Sequence, residues 1–462
     1  MFYKPLTPDQ YNAASGLTTS KSYTENTFYR LQLTNAKLFH LPGGNAGIAF
    51  VAEGAHQLWD YIPDPGFQTN KFFGLTSSGA SEGNRTRYAL TSELRLPVYD
   101  KLTVDVSSRY DVYKLQDNSV SKFTYMAGLE YRPVPTVLLR GRLGTAFKAP
   151  TLSDQYQSLS GAYVSGQTDY YRCYKGGYTP DTISDCPVAG NQQLFQQTSG
   201  NTKLAPINAD VWNAGMVWDV SKAVSLDLDY LHWTIRDEVS LASDDSLLQQ
   251  EARCRLGDLD IKSPTCVAAL NQVTRNGDGT ITAVYVPKVN VANETVNAFT
   301  AKVHYKMPTQ SLGQFEYSLT WTDMIAHQYQ QYPGDPLIDL LRDPTYSTDF
   351  KSRMQGEINW SYDKLSSTLF VLREGQTPNY VATLRGYDST GAGNLNPFYM
   401  VNLSASYTWN DNLNVSARVT NLFNRMPPED RSYNGLTSSP YNIFNYDVYG
   451  RAAQIEVTYK TK

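Results

Sequence analysis

Four cysteines stand in two local pairs, Cys173 with Cys186 and Cys254 with Cys266. Thiolates can hold zinc or oxidise to disulfides. A structural zinc site needs close ligand spacing, such as Cys-x-x-Cys or a nearby His, and neither accompanies these cysteines. Disulfides need an oxidising compartment, so that choice waits on where the chain runs. The segment around the first pair also carries Tyr156, Tyr163, Tyr170, Tyr171, Tyr174 and Tyr178. Tyrosine offers stacking area together with a hydroxyl. That suits sugars or aromatic chelates and makes this segment the candidate ligand-contact loop.

Other chemistry is sparse. No Gly-rich phosphate loop follows a strand pattern, and His-Glu-x-x-His and Gly-x-Ser-x-Gly are missing. Asn276-Gly277-Asp278-Gly279 lacks the remaining calcium ligands and the closing Glu, and reads as a hairpin-type turn. His40, His56, His232, His304 and His327 are scattered. The expectation is no enzyme, no metal and no cofactor. With 40 Lys+Arg against 44 Asp+Glu the formal charge is -4, which argues against nucleic acid as a partner.

The elements that must position these residues are strands. Leu102, Val104, Val106, Tyr110 and Val112 alternate with Thr103, Asp105, Arg109 and Asp111. Tyr399, Val401, Leu403, Ala405 and Tyr407 alternate with Asn402, Ser404, Ser406 and Thr408, and Ile455, Val457 and Tyr459 with Gln454, Glu456 and Thr458. Such period-2 patterning marks β-strands. Many of these segments reach about 10 residues, and aromatics (Tyr29, Tyr131, Trp321, Trp360, Trp409) recur near their ends. Both features suit a transmembrane β-barrel better than a soluble sandwich. No apolar run reaches the ~20 residues of a membrane helix, and mean hydropathy is -0.43. A barrel tolerates that value because half of every strand is polar.

Links between strands alternate in length. Short ones fall near 41–46, 97–101, 132–136, 219–223, 307–313, 362–366 and 410–412. Their counterparts fall near 54–86, 114–121, 148–209, 236–280, 322–351, 374–397 and 424–447, and all but the second are long. Outer-membrane barrels pair short periplasmic turns with longer external loops. The pattern predicts about 15 antiparallel strands, the first over 25–40, with 280–306 as one long strand interrupted at Pro287 and Asn293. Both cysteine pairs then lie in external loops, where disulfides are favoured. Bacterial barrels close with even strand numbers, so the expectation is part of a larger barrel, 15 of a probable 22 strands, over 25–462. Residues 1–24 read as the remnant of an external loop, and no secretory leader pattern follows Met1.

Several segments resemble the barrel of TonB-dependent outer-membrane receptors. Leu41-Pro42-Gly43-Gly44 looks like that family's strand–turn–strand, and Arg109-Tyr110-Asp111 like its Arg-Tyr-Asp segment. Arg140 to Pro150 is similar to the strand that ends in Phe-Arg-Ala-Pro, with Lys148 replacing Arg. Gly200 to Pro206 resembles the Asn-Pro-x-Leu-x-Pro-Glu turn, with Thr202 for Pro and Ile207 for Glu. Asn421-Leu422-Phe423-Asn424 and Tyr449-Gly450-Arg451 look like the two signatures near the end.

The resemblance implies a receptor in the outer membrane of a Gram-negative bacterium, embedded in outer-membrane lipid. It would take up a scarce bulky nutrient: an iron chelate, cobalamin or an oligosaccharide. In the family a plug domain fills the barrel and TonB drives it; the plug and the TonB box are not recognisable here, so the chain alone is not expected to couple energy to uptake. Inward faces carry charges of both signs, among them Arg87, Arg95, Asp105, Arg109, Glu130, Arg140, Asp227 and Asp229. These would contact the plug, or pair with one another across strands. Two alternatives stay open: a passive 16-strand pore, and a non-transport adhesin or receptor.

Overall fold

The computed structural model describes residues 5–68, 77–116, 118–330, 337–342, 349–385, 387–432, 440–443 and 445–461. Fifteen long strands follow one another around one antiparallel sheet. They are β1 (Lys21–Leu41), β2 (Gly44–Ile62), β3 (Ser81–Tyr99), β4 (Leu102–Lys114) and β5 (Ser119–Val134). Next come β6 (Val137–Lys148), β7 (Ile207–Asp219), β8 (Val224–Leu241), β9 (Lys288–Pro308) and β10 (Gln314–Gln330). The last are β11 (Ser352–Tyr362), β12 (Leu365–Glu374), β13 (Phe398–Asn410), β14 (Leu413–Thr420) and β15 (Ala452–Tyr459). A short segment, Ile338–Asp339, pairs with β10 and makes the sheet 16-stranded.

All the short links predicted from sequence are tight connections here, at 42–43, 100–101, 135–136, 220–223, 309–313, 363–364 and 411–412. Their residues fit the backbone. Gly43 packs so closely on the Tyr99 carbonyl that a Cβ would overlap it. Asp363 opens a two-residue turn with φ 51°, the left-handed conformation such hairpins require.

Alternation sorts the two faces. Tyr88 (50% exposed), Leu90 (59%), Phe123 (57%) and Tyr125 (47%) point outward, where lipid would cover them. Inside the sheet each strand is bonded on both sides by its neighbours, which a membrane demands because lipid offers no hydrogen-bond partner. β1 and β15 are the ends of the sheet. Among the described residues no ladder joins them, and β15 is exposed along its whole length.

Two sequence expectations need correction in detail. The first strand starts at Lys21, and Pro8–Ala14 is a short helix capped by Thr7, whose hydroxyl accepts from the Gln10 N–H. The segment 280–306 is not one strand. Ile281–Tyr285 leaves the barrel and pairs in parallel with Gln192–Thr198. The stave resumes at Lys288, after Pro287, which has no N–H to give a ladder. Asn293 stays inside β9, where it pairs with Gln330, but the ladder to β8 shifts register there, between Ile235 opposite Glu294 and Glu238 opposite Ala292.

Candidate functional site

β1 has 21 residues and β2 has 19, whereas a tilted strand needs about 9–11 to cross a membrane. The excess rises on the long-loop side and carries two folded lobes.

The first lobe combines the links 149–206 and 242–287 and takes one short strand from the link before β3. Its sheet runs in the order Val273–Arg275, Ile281–Tyr285, Gln192–Thr198, Ser160–Gln167, Ser77–Ser78. Its core holds Leu194, Leu247, Leu248, Ala269, Val273, Ile281, Val284 and Val286, so apolar residues of both links share one interior. Ser243 caps the helix Asp244–Leu256 and Ser263 caps Pro264–Gln272. The expected disulfides are formed: Cys173–Cys186 with sulfurs 2.01 Å apart, and Cys254–Cys266.

A buried ionic node joins the two links. Arg275 donates to Asp169 at 2.8 and 3.0 Å and to Glu251 at 2.8 and 2.7 Å. Arg255 adds a further bond to Glu251. Burial works against the Arg275 charge, but the bonds from Glu251 and Asp169 outweigh it and hold the guanidinium above its ordinary pKa. The Tyr171 ring lies beneath Lys175, Arg255 and Arg275, at 5.5, 5.7 and 5.2 Å.

The six tyrosines proposed from sequence have different immediate surroundings. Tyr156 lies on the backbone of Gly83, at the rim of β3, and its hydroxyl accepts from the Gln116 N–H. Tyr163 packs on Phe195 and is 73% exposed. Tyr170 and Tyr174 pair at 5.9 Å. Burial, reinforced by its bond to Asp245, pushes the Tyr170 phenol up to about 12. Tyr178 lies beside Gly176 at the end of the helix Tyr170–Lys175. Of the six, Tyr163 is the one classed as exposed.

The second lobe covers β11 to β15 and packs Phe350, Leu395, Phe398 and Tyr446 together. Asp430 is 2% exposed and accepts from the Tyr380 N–H and from Ser432. Between the lobes His327 on β10 meets Glu294 at 2.5 Å and Asp349 at 3.1 Å. Sequence reasoning placed no role on His327 or Arg275, because their partners are distant in the chain.

Below the lobes the inner face pairs its own charges. Glu53 accepts from Arg87 at 3.0 Å and from Arg109 at 2.9 Å. Arg109 also grips Asp111, which is 1% exposed. Arg95 reaches Asp105 and Glu130. Arg140 spans to Asp227 at 2.7 Å and Asp229 at 2.5 Å.

The segments singled out in the sequence have physical roles here. Asn421 and Asn424 both adopt left-handed φ, 50° and 51°. Asn421 brackets Arg425 with its amide, and Asn424 accepts from the Arg451 N–H, so the turn after β14 holds the start of β15. Asn201 donates to the Lys288 carbonyl and ties the first lobe to β9.

No curated protein matches the sequence. A variant of the ferric enterobactin receptor PfeA from Pseudomonas aeruginosa superposes with TM-score 0.62 at 14% identity, covering 95% of this chain and 54% of that one. The siderophore receptor PirA from Acinetobacter baumannii gives 0.61 at 14% identity, covering 95% and 55%. A PfeA variant in complex with enterobactin gives 0.62 at 15%, covering 98% and 56%. The chain thus spans about half the length of these solved structures, which at such identity establish the fold. The model of the TonB-dependent receptor-like β-barrel, a family of receptors and transporters of the outer membrane, matches residues 2–422. The chain belongs to the TonB-dependent receptor β-barrel family.

Proposed function

We propose that the chain is the wall and surface lobes of a receptor in the outer membrane of a Gram-negative bacterium, which takes up a scarce bulky nutrient. Candidate nutrients are an iron chelate, cobalamin and an oligosaccharide. The supporting observation is the asymmetry of the molecule. Tight turns close one end of the sheet, and two lobes with their own cores stand over the other, the first of them carrying both disulfides. A passive pore needs no such lobes. An iron chelate comes first, because the receptors that share the fold are named for siderophores.

In this reading the chain from β1 onward is part of a larger barrel, and the residues before Lys21 belong to an external loop. β1 and β15 run in the same direction, since an odd number of antiparallel strands lies between them. An even closure needs an odd number of further strands, seven for 22. A plug and TonB would be the partners, as elsewhere in the family.

The test is uptake. Cells expressing the full gene product should accumulate radiolabelled iron from at least one ferric chelate, and accumulation should stop when TonB is deleted. Uptake that persists without TonB would favour the passive pore. Attachment to surfaces with no uptake of iron, cobalamin or oligosaccharide would favour the adhesin.

A further inference from the structure

The arginines that cross-link the inner face of the wall have carboxylate partners. Arg87 and Arg109 share Glu53, Arg95 meets Asp105 and Glu130, and Arg140 meets Asp227 and Asp229. Arg373 and Arg425 differ in both partner and side. Arg373 stands opposite Tyr399 in the ladder between β12 and β13. Tyr399 shares its face with Val401, Leu403 and Tyr407, whereas its neighbour Phe398 is buried in the core of the second lobe. Tyr399 therefore points outward, and register turns Arg373 the same way. The Arg373 Nε–H donates to the Tyr399 hydroxyl at 3.2 Å and Nη1 donates to Ser352 Oγ at 3.0 Å. Its guanidinium lies 5.9 Å from the Tyr399 ring centroid, and that of Arg425 lies 5.3 Å from the same centroid. Among the described residues, neither arginine forms an ion pair with a carboxylate.

The depth of this pair follows from the strand. Tyr399 and Tyr407 bracket the outward face of β13, and the stretch between them is about the 9–11 residues that a tilted strand needs to cross a membrane. Tyr407 lies toward the short-turn end, so Tyr399 belongs to the outer aromatic girdle, at head-group level. Two cations gathered at one ring repel each other, and an anion set between them relieves that repulsion. Both are held in place. The Asn421 amide donates to the Arg425 carbonyl and its Oδ1 accepts from the Arg425 N–H, each at 2.8 Å. Arg373 is fixed by its two hydroxyl partners. On the same face Val371 and Leu369 of β12 lie opposite Val401 and Leu403 of β13, an apolar track that runs from the pair toward the middle of the membrane.

We propose that Arg373, Arg425 and Tyr399 form a head-group site for a phosphorylated lipid of the outer leaflet. The two guanidiniums take the phosphate oxygens in fork geometry, and an acyl chain lies along the track below. A zwitterionic lipid is disfavoured, because it brings a cation of its own to the pair. The site is on the outside of the wall, away from the lumen, so nutrient binding does not use it. Its consequence is local. Asn424 in the same turn accepts from the Arg451 N–H at 3.0 Å, so a lipid that clamps Arg425 also steadies the entry to β15. The inference rests on the membrane placement of the wall and not on transport.

The test uses the full gene product, purified in non-ionic detergent, with bound lipid counted by native mass spectrometry. The probes are bisphosphorylated lipid A, phosphatidylethanolamine and inorganic phosphate. Lipid A should bind at least roughly tenfold more tightly than phosphatidylethanolamine. Arg373→Gln combined with Arg425→Gln should erase that preference and leave phosphatidylethanolamine unchanged. Arg373→Lys combined with Arg425→Lys should keep part of it, since the charges remain. Unheated gels report whether each variant is folded; if the glutamine pair is not, Arg373→Gln and Arg425→Gln are scored singly, and each should lower lipid A binding alone. Equal binding of the two lipids by the unmutated protein overturns the proposal, as does a preference that survives both glutamines. An equal fall for both lipids also overturns it, and would show that the arginines only hold the turn. Displacement of lipid A by inorganic phosphate would make this a free-anion site and overturn the lipid assignment. None of these outcomes bears on uptake, which TonB-dependent accumulation decides separately.

Discussion

Asp169 and Arg275 lie 106 positions apart, on different links, yet they share two hydrogen bonds of 2.8 and 3.0 Å. Their side chains are 1% and 7% exposed. A pair so deeply buried is costly to break by removing one member, about 3–5 kcal/mol, because the other charge stays buried. Arg275→Met should therefore loosen the first lobe. Hydrogen exchange should rise in 244–256, where Glu251 is left with Arg255 alone, and in 160–198, while β4 and β5 keep their protection. Unchanged exchange in both segments would show that the node is dispensable.

The disulfides should add to the same lobe. Cys173–Cys186 has a sequence separation of 13 and Cys254–Cys266 one of 12. In the chain-entropy picture each is worth roughly 3 kcal/mol. Replacing Cys254 and Cys266 together by Ser should speed protease cleavage within 242–287 on intact cells, with the barrel still inserted. Cleavage at the unmutated rate would count against the estimate.

The barrel was legible because its signal is local and repeated. Period 2 and the tight turns each live within a few residues, so the fifteen staves emerge from sequence with most of their bounds. The lobes are different. Ile281, Ala283 and Tyr285 alternate as a stave does, and nothing local says that they pair with Phe195 and Gln197 instead. Tyrosines of one link take up different surroundings, since Tyr156 sits on the wall and Tyr171 under three cations. Asp169, Glu251 and Arg275 meet only after both links have folded, so no spacing could reveal them.

Gly215 makes room for an ion pair. A Cβ there would overlap Asp229 Oδ1 and crowd the Leu228 carbonyl, just where Asp229 meets Arg140. Gly215→Ala should cost about 1–3 kcal/mol through overpacking, read as less folded, heat-modifiable protein on unheated gels. Gly215→Ala combined with Asp229→Ala should recover part of the loss, because the clashing carboxylate is gone. Equal yields from the single variant and the unmutated protein would show that the strand shifts freely.

Val106 and Ser107 test which side of the wall meets lipid. They are neighbours on β4, hence at the same depth, and successive strand residues face opposite ways. Val106 is 43% exposed and shares the outward face with Tyr110. Ser107 shares its face with Asp105 and Arg109, which pair across the sheet with Arg95 and Glu53. An arginine on the lipid face costs roughly 2–4 kcal/mol near the membrane midplane and less toward its surfaces. An arginine on the water-filled side costs little where there is space. Val106→Arg should therefore lower the yield of inserted protein, and Ser107→Arg should leave it near the unmutated level. The reverse order would turn the sheet inside out, placing the paired charges of Arg109 and Glu53 against lipid. Equal tolerance of both would mean that neither face meets a bilayer, and the wall would have to be explained as a sheet in water.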